Sequence, residues 1–161
     1  MDYQLYGFLI GGDIRFDIES RRLYRFAPSM DEKNFSFCAV YLNDTMMQLF
    51  LYLLTHARKQ SVIKDELFKH VWEKNNLSPS SQRLWQVTSK LNKQLELLGL
   101  PVDFIKNIKG TGYVINYEKI LPLYFNADDI IFSPENSVSR RNIFDDERSA
   151  QRSTAYPRRH Y

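Results

Sequence analysis

The sequence predicts an α+β fold in which four short strands precede three helices and a closing β-hairpin. Three observations predict it. Ile14, Phe16 and Ile18 alternate with Arg15 and Asp17, the two-residue period of a half-buried strand. After Asn43 the period lengthens: Met46, Leu49, Phe50, Leu53 and Leu54 follow one another at spacings of three, one, three and one, the apolar stripe of an amphipathic helix. Near residue 110, Lys109-Gly110-Thr111-Gly112 separates two apolar stretches, as a hairpin turn does.

The elements follow in order. Phe8-Leu9-Ile10 is an apolar strand ended by the turn residues Gly11-Gly12, and the alternating Ile14–Ile18 segment returns from it. A polar turn at Glu19–Arg22 leads to Leu23-Tyr24-Arg25-Phe26. A loop containing Pro28 leads to the fourth strand, Asn34–Leu42. Short strands joined by short polar turns imply an antiparallel sheet. Asn43 or Asp44 is placed to cap the first helix by accepting from an orphan backbone N–H. A second helix is expected from Ser61, with Val62, Leu67, Phe68, Val71 and Trp72 as its apolar residues, broken by Asn75-Asn76 and Ser78-Pro79-Ser80. The third runs from Ser81 to Leu98 and is ended by Gly99. Phe104–Ile108 and Tyr113–Tyr117 are the hairpin strands. The regularity fades near residue 118, which divides an expected domain, 1–117, from a linker-like tail, 118–161, with the short apolar pieces Leu121–Phe125 and Asp129–Phe132.

Composition bounds the function. The net charge is +3 and the pI about 8.9, a mildly basic balance that permits nucleic-acid binding without requiring it. Residues 1–117 hold 15 Lys/Arg against 12 Asp/Glu, so the whole excess lies there. The tail's Arg140, Arg141, Arg148, Arg152, Arg158 and Arg159 read first as a solvated segment, with phosphate contact or a position before a membrane span as the other readings. The single Cys38 excludes an intrachain disulfide, which fits a reducing cytosol, and its apolar neighbours place it as a buried strand residue. The start has no signal-peptide pattern, and Met46–Leu54, the most apolar stretch, is about half of a bilayer span. The expectation is a cytoplasmic protein, tethered to a membrane only if the chain continues beyond residue 161.

The third helix carries the chemistry. At 100° per residue, Leu84, Val87, Thr88, Leu91, Leu95 and Leu98 fall within an arc of about 100°. The opposite arc holds Gln82, Gln86, Ser89, Lys90 and Lys93, with Arg83 at its edge, and no acid occurs between Ser81 and Gln94. Lys and Arg neutralise phosphates or donate to guanine, and Gln pairs with adenine. A polar face is also what any solvated helix shows. The hairpin adds weight, because Lys106 and Lys109 flank the Gly-Thr-Gly turn and glycines admit close backbone approach to a phosphate or a minor groove. Neither glycine-rich nucleotide-binding pattern is present.

With these residues in view, Ile108-Lys109-Gly110-Thr111-Gly112-Tyr113 resembles the wing signature of OmpR/PhoB-type winged helix-turn-helix domains. Leu42 with the apolar helix after it is similar to the family's first helix, Glu66-Leu67 through Val71-Trp72 to its second, and Thr88–Leu95 to its recognition segment. The resemblance covers about residues 5–117. With strands at its start, the chain is more similar to the ToxR/CadC-like branch than to response regulators, which implies no phosphoacceptor site. Three positions depart from the family pattern: Thr88 for Ile, Asn92 for Arg, and Met46 for Glu. The resemblance implies a sequence-specific double-stranded DNA-binding transcription regulator. Gln82, Arg83, Gln86, Ser89 and Lys90 would lie in the major groove, and Lys93, Lys106, Lys109 and Thr111 on phosphates or at the wing. Promoter DNA is the expected partner, followed by self-association on tandem sites and contact with RNA polymerase.

Other residues are set aside. His56, His70 and His160 have no partners at ligand spacing, so no metal or other cofactor is expected. Asp65-Glu66 opens a helix, where carboxylates favour the dipole. Trp72 is expected in the core, and Trp85 against the wing or sheet ahead of a DNA or partner contact. An enzyme is not expected, because no nucleophile–base set is visible, nor is a small-molecule substrate. The alternative is a winged helix used for protein–protein contact with decayed DNA binding, motivated by Asn92 and the modest charge.

Overall fold

The alternating strands meet in register. The computed structural model describes residues 2–26 and 37–129. Strands β1 (Tyr3–Ile10), β2 (Ile14–Asp17), β3 (Arg22–Phe26) and β4 (Phe37–Tyr41) form an antiparallel meander. Phe8 stands opposite Phe16, Phe16 opposite Leu23, and Leu23 opposite Val40. This single row of buried apolar side chains crosses the sheet and fixes its register, because a slip of one residue would turn every one of them to the other face. Arg25 and Asp13 pair across the sheet at 2.8 Å.

One correction concerns the strand count. The sheet has five strands, in the order β4-β3-β2-β1-β7, where β7 is Ile120–Asn126. The four-stranded sheet expected from sequence lacks this edge, and the expected boundary near residue 118 precedes it. Leu121–Phe125 shows no clean alternation and contains Pro122, which hides an edge strand from a pattern reading. Residues 5–124 form one unit. In the other unit, Ala127 N–H donates to the Asp2 carbonyl at 3.0 Å. The remainder of the tail, 130–161, with its arginines and the expected piece Asp129–Phe132 beyond its first residue, lies outside the described residues.

Helix α1 spans Asp44–His56, and Asn43 is its N-cap: the Oδ1 atom accepts from Met46 N–H at 2.9 Å. Met46, Leu49, Phe50, Leu53 and Leu54 are all buried, as the stripe predicts. Asn43→Ala should therefore lower stability by about 1 kcal/mol, measured as a shift of the urea midpoint without a change of slope. An unchanged midpoint would show that the cap bond contributes nothing net.

The second helix begins later than predicted. Lys64–Leu67 is α-helical (α2), Phe68–Trp72 is a π-turn, and Glu73–Asn75 is 3₁₀. Residues 61–63 are withheld from it because Val62 exchanges two backbone hydrogen bonds with Tyr113, both 2.8 Å. The π-turn keeps Val71 and Trp72 together in the core. Asn76, at φ +58°, closes the segment in the left-handed region.

Helix α3 spans Ser81–Leu97. Ser80 caps it by accepting from Arg83 N–H at 3.1 Å. Gly99, at φ +89°, ends it, with its N–H on the Glu96 carbonyl and Leu100 N–H reaching back to Leu95. Leu84, Thr88, Leu91 and Leu95 form its buried side. Thr88 donates its hydroxyl to the Leu84 carbonyl at 2.7 Å, so the departure from Ile leaves no orphan polar atom. The hairpin is β5 (Ile105–Ile108) with β6 (Gly112–Ile115). Phe50 ties the layers, its ring 4.9 Å from Phe16 of the sheet and 6.1 Å from Phe104 ahead of the hairpin.

Two buried placements expected from sequence are corrected. Trp85 is 65% exposed, too open for the packing against wing or sheet expected of it. Cys38 is half-buried, with Sγ 4.0 Å from the Leu97 carbonyl oxygen: it shares the inward face of β4 with Val40 and packs against the core, but lies one pair further along the strand, opposite Arg25.

Candidate nucleic-acid interface

The interface candidates rest on two scaffolds, α3 and the hairpin. On α3 the side chains of Gln82, Arg83, Gln86, Lys90 and Lys93 are exposed, and Ser89 is half-buried. The helix holding them is anchored on its opposite side by four leucine- and threonine-filled core positions and capped at both ends, so the face is presented rigidly. Arg83 is partly committed: its Nη1 donates to the Ser78 carbonyl at 3.0 Å, within the turn that precedes the helix. Arg83, Gln86 and Lys90 line one cleft of about 230 Å³ together with Asn43, Trp72 and Leu77. This cleft sits where the α2–α3 turn meets the start of α1.

On the hairpin, Lys106, Lys109 and Thr111 are exposed. Gly110 has φ +79° and open space around its Cα, whereas Gly112 has φ +130° and lies against the Val62 carbonyl. Lys109 and Thr111 line a second cleft, of about 580 Å³, between the hairpin tip and the start of α2. Ile63, Lys64 and Asp65 form its other wall. Five of the nine candidates thus line these two clefts, and Gln82, Ser89, Lys93 and Lys106 line neither.

Asn92 joins the two scaffolds. Its Nδ2 donates to the Ile105 carbonyl and its Oδ1 accepts from Ile105 N–H, both at 3.0 Å. The side-chain amide imitates a strand neighbour, satisfying the two backbone groups at the start of β5. Sequence reasoning placed Asn92 as a lost cation, and its structural role was missed. Lys64 was missed as well. Its ammonium donates to Ser81 Oγ at 3.1 Å and lies 5.8 Å from the Phe68 ring. The available signal was a cation in the first turn of a helix, where the dipole disfavours it; such a residue invites the question of what else it serves.

Away from these clefts, Tyr52 stacks on His70 with ring centroids 5.1 Å apart, lies tilted against His56 at 4.4 Å, and donates to Glu66 Oε2 at 3.2 Å. Burial, and then the bond to Glu66, push its phenol above the ordinary tyrosine value. Among the described residues no group of three or more His, Cys, Asp or Glu could hold a metal ion, and no helix is long and apolar enough to cross a membrane.

Comparison with known proteins decides the fold family. Residues 39–115 match the family model described as transcriptional regulatory protein, C terminal. Over these residues the chain is similar to OmpR/PhoB-type winged helices. In that fold the β5–β6 hairpin is the wing. The DNA-binding domain of E. coli CadC has the same fold, with a TM-score of 0.58 over 76% of this chain and 100% of that one, at 16% identity. The DNA-binding domain of the response regulator AdeR, solved in complex with an intercistronic region, aligns with a TM-score of 0.50 at 20% identity over 64% of this chain and 93% of that one. No curated protein sequence matches the chain.

Proposed function

We propose that this protein is a cytoplasmic transcription regulator that binds double-stranded promoter DNA, with α3 in the major groove and the wing on the flanking backbone or minor groove. The observation that carries the reading is the exposed polar face of α3, free of acids from Ser81 to Gln94 with Glu96 only in its last turn, held by its caps and core and stapled to a lysine-bearing wing by Asn92. Gln82, Gln86 and Ser89 supply amide and hydroxyl groups for base edges. Lys90, Lys93, Lys106 and Lys109 supply phosphate neutralisation, with Arg83 and Thr111 beside them. The family model and the AdeR domain's DNA complex support this assignment. Lys109 of the wing stands across a cleft from Lys64, so a phosphate approaching the tip meets one cation on each wall, with Asp65 beside Lys64. The competing reading, a winged helix turned to protein contact, drew on Asn92 as a lost DNA residue; its bonds to Ile105 give that asparagine a structural reason instead.

Electrophoretic mobility shift with a duplex selected from a random pool tests the proposal. With about five phosphates neutralised, log K should fall against log salt with a slope of about −4 to −5. Lys90→Ala and Lys109→Ala should each weaken binding on every sequence and reduce that slope by about one. Undetectable wild-type binding at low salt, or two variants that bind as the wild type does, would remove this reading.

A further inference from the structure

Trp85 lies in the first half of α3 with 65% of its surface exposed. Leu84, immediately before it, is fully buried, and the 100° helical step carries the indole out of the core and onto the polar flank. Its neighbours on that flank are Gln82, three residues earlier, and Ser89, four residues later. Those residues, with Gln86, are the ones whose hydrogen-bonding groups suit base edges. A bulky aromatic placed among them has no charge to offer a phosphate. What it has is a flat apolar face and one N–H donor.

We propose that Trp85 is a specificity-determining residue of the DNA surface, its indole packing on the C5-methyl group of a thymine in the major groove. The inference rests on the DNA reading above. Thymine is the only base that presents an apolar group in that groove, and the N-terminal part of a recognition helix is the part that reaches base edges. The surface then divides its work. Lysines fix affinity on any sequence through phosphates, and Trp85 discriminates among sequences.

The division makes the idea separable from the parent reading. The test uses the full chain, a duplex selected from a random pool, and an unselected duplex of equal length. Trp85→Ala should bind the selected duplex about tenfold more weakly, within the range for one base contact, and the unselected duplex within about twofold of wild type. Trp85 is exposed and alanine favours helix, so circular dichroism should show an unchanged fold. Trp85→Phe should recover most of the loss. Replacing the contacted thymine by deoxyuridine deletes one methyl group and should cost the wild type about fourfold, and should cost Trp85→Ala nothing.

The inference is overturned if Trp85→Ala weakens both duplexes equally, or if the deoxyuridine effect persists in that variant. It is also overturned if the selected duplex has no thymine whose methyl matters, or if only the binding of a second protomer on a tandem duplex changes, which would make the face a protein contact. In all of these the lysine-dependent DNA binding still stands. Wild-type protein that binds no duplex at low salt removes the parent reading and this one together.

Discussion

Gly112→Ala should destabilise the protein by about 3 kcal/mol or more, while Gly110→Ala, two residues away in the same turn, should cost only about 1 kcal/mol. Both glycines have positive φ, so part of the penalty is shared. The difference is local space. Around Gly110 a Cβ would meet nothing within 4 Å, and φ +79° lies near the left-handed well that Asn or Asp tolerates. At Gly112, φ is +130°, outside that well, and a Cβ would sit 2.4 Å from the Val62 carbonyl oxygen. The backbone would have to retreat, and the two 2.8 Å bonds between Val62 and Tyr113 would be lost with it. Those bonds are what hold the wing against the segment leading into α2. Urea denaturation of the two variants gives the comparison, and hydrogen exchange at the Val62 and Tyr113 amides locates it. Equal destabilisation by the two substitutions would show that the close approach at Gly112 is not what fixes glycine there.

This pair of glycines also shows what a sequence can and cannot disclose. That Lys-Gly-Thr-Gly is a turn is readable from residue type alone. That its second glycine is needed by a neighbour 50 residues away is not, because Val62 enters only through tertiary pairing. The same distinction holds elsewhere. α1 and α3 were legible because each has a cap residue, a sustained apolar stripe and, for α3, a terminating glycine, all of them local. The start of α2 was misplaced by three residues because the Val62–Tyr113 bridge outcompetes helix propensity. β7 was missed as a sheet member because an edge strand with one covered face and a proline carries little alternation. Trp85 was assigned to packing because its helical angle lies between the core and solvent arcs, and only the coordinates decide which side a residue at that angle takes.

Asn92 was the most misleading residue and is the most informative one in the structure. Measured against a family pattern with Arg at this position, it looked like a cation lost from a DNA surface. In the structure its amide holds both backbone groups of Ile105, a residue 3% exposed. Asn92→Ala would leave a buried N–H and a buried carbonyl without partners, so stability should fall by about 2–4 kcal/mol. The loss should be concentrated at the wing, and amides of β5 and β6 should exchange faster than those of the meander. Asn92→Arg separates the two roles. It supplies the family's cation but cannot accept from Ile105 N–H, since a guanidinium has no acceptor. Its stability should fall by nearly as much as that of the alanine variant, while its salt slope on an unselected duplex steepens by about one. If Asn92→Ala unfolds within about 0.5 kcal/mol of wild type, the staple between recognition helix and wing contributes nothing, and the rigid coupling that supports a two-point DNA contact must come from the core packing of Phe104, Tyr113 and Ile115 alone.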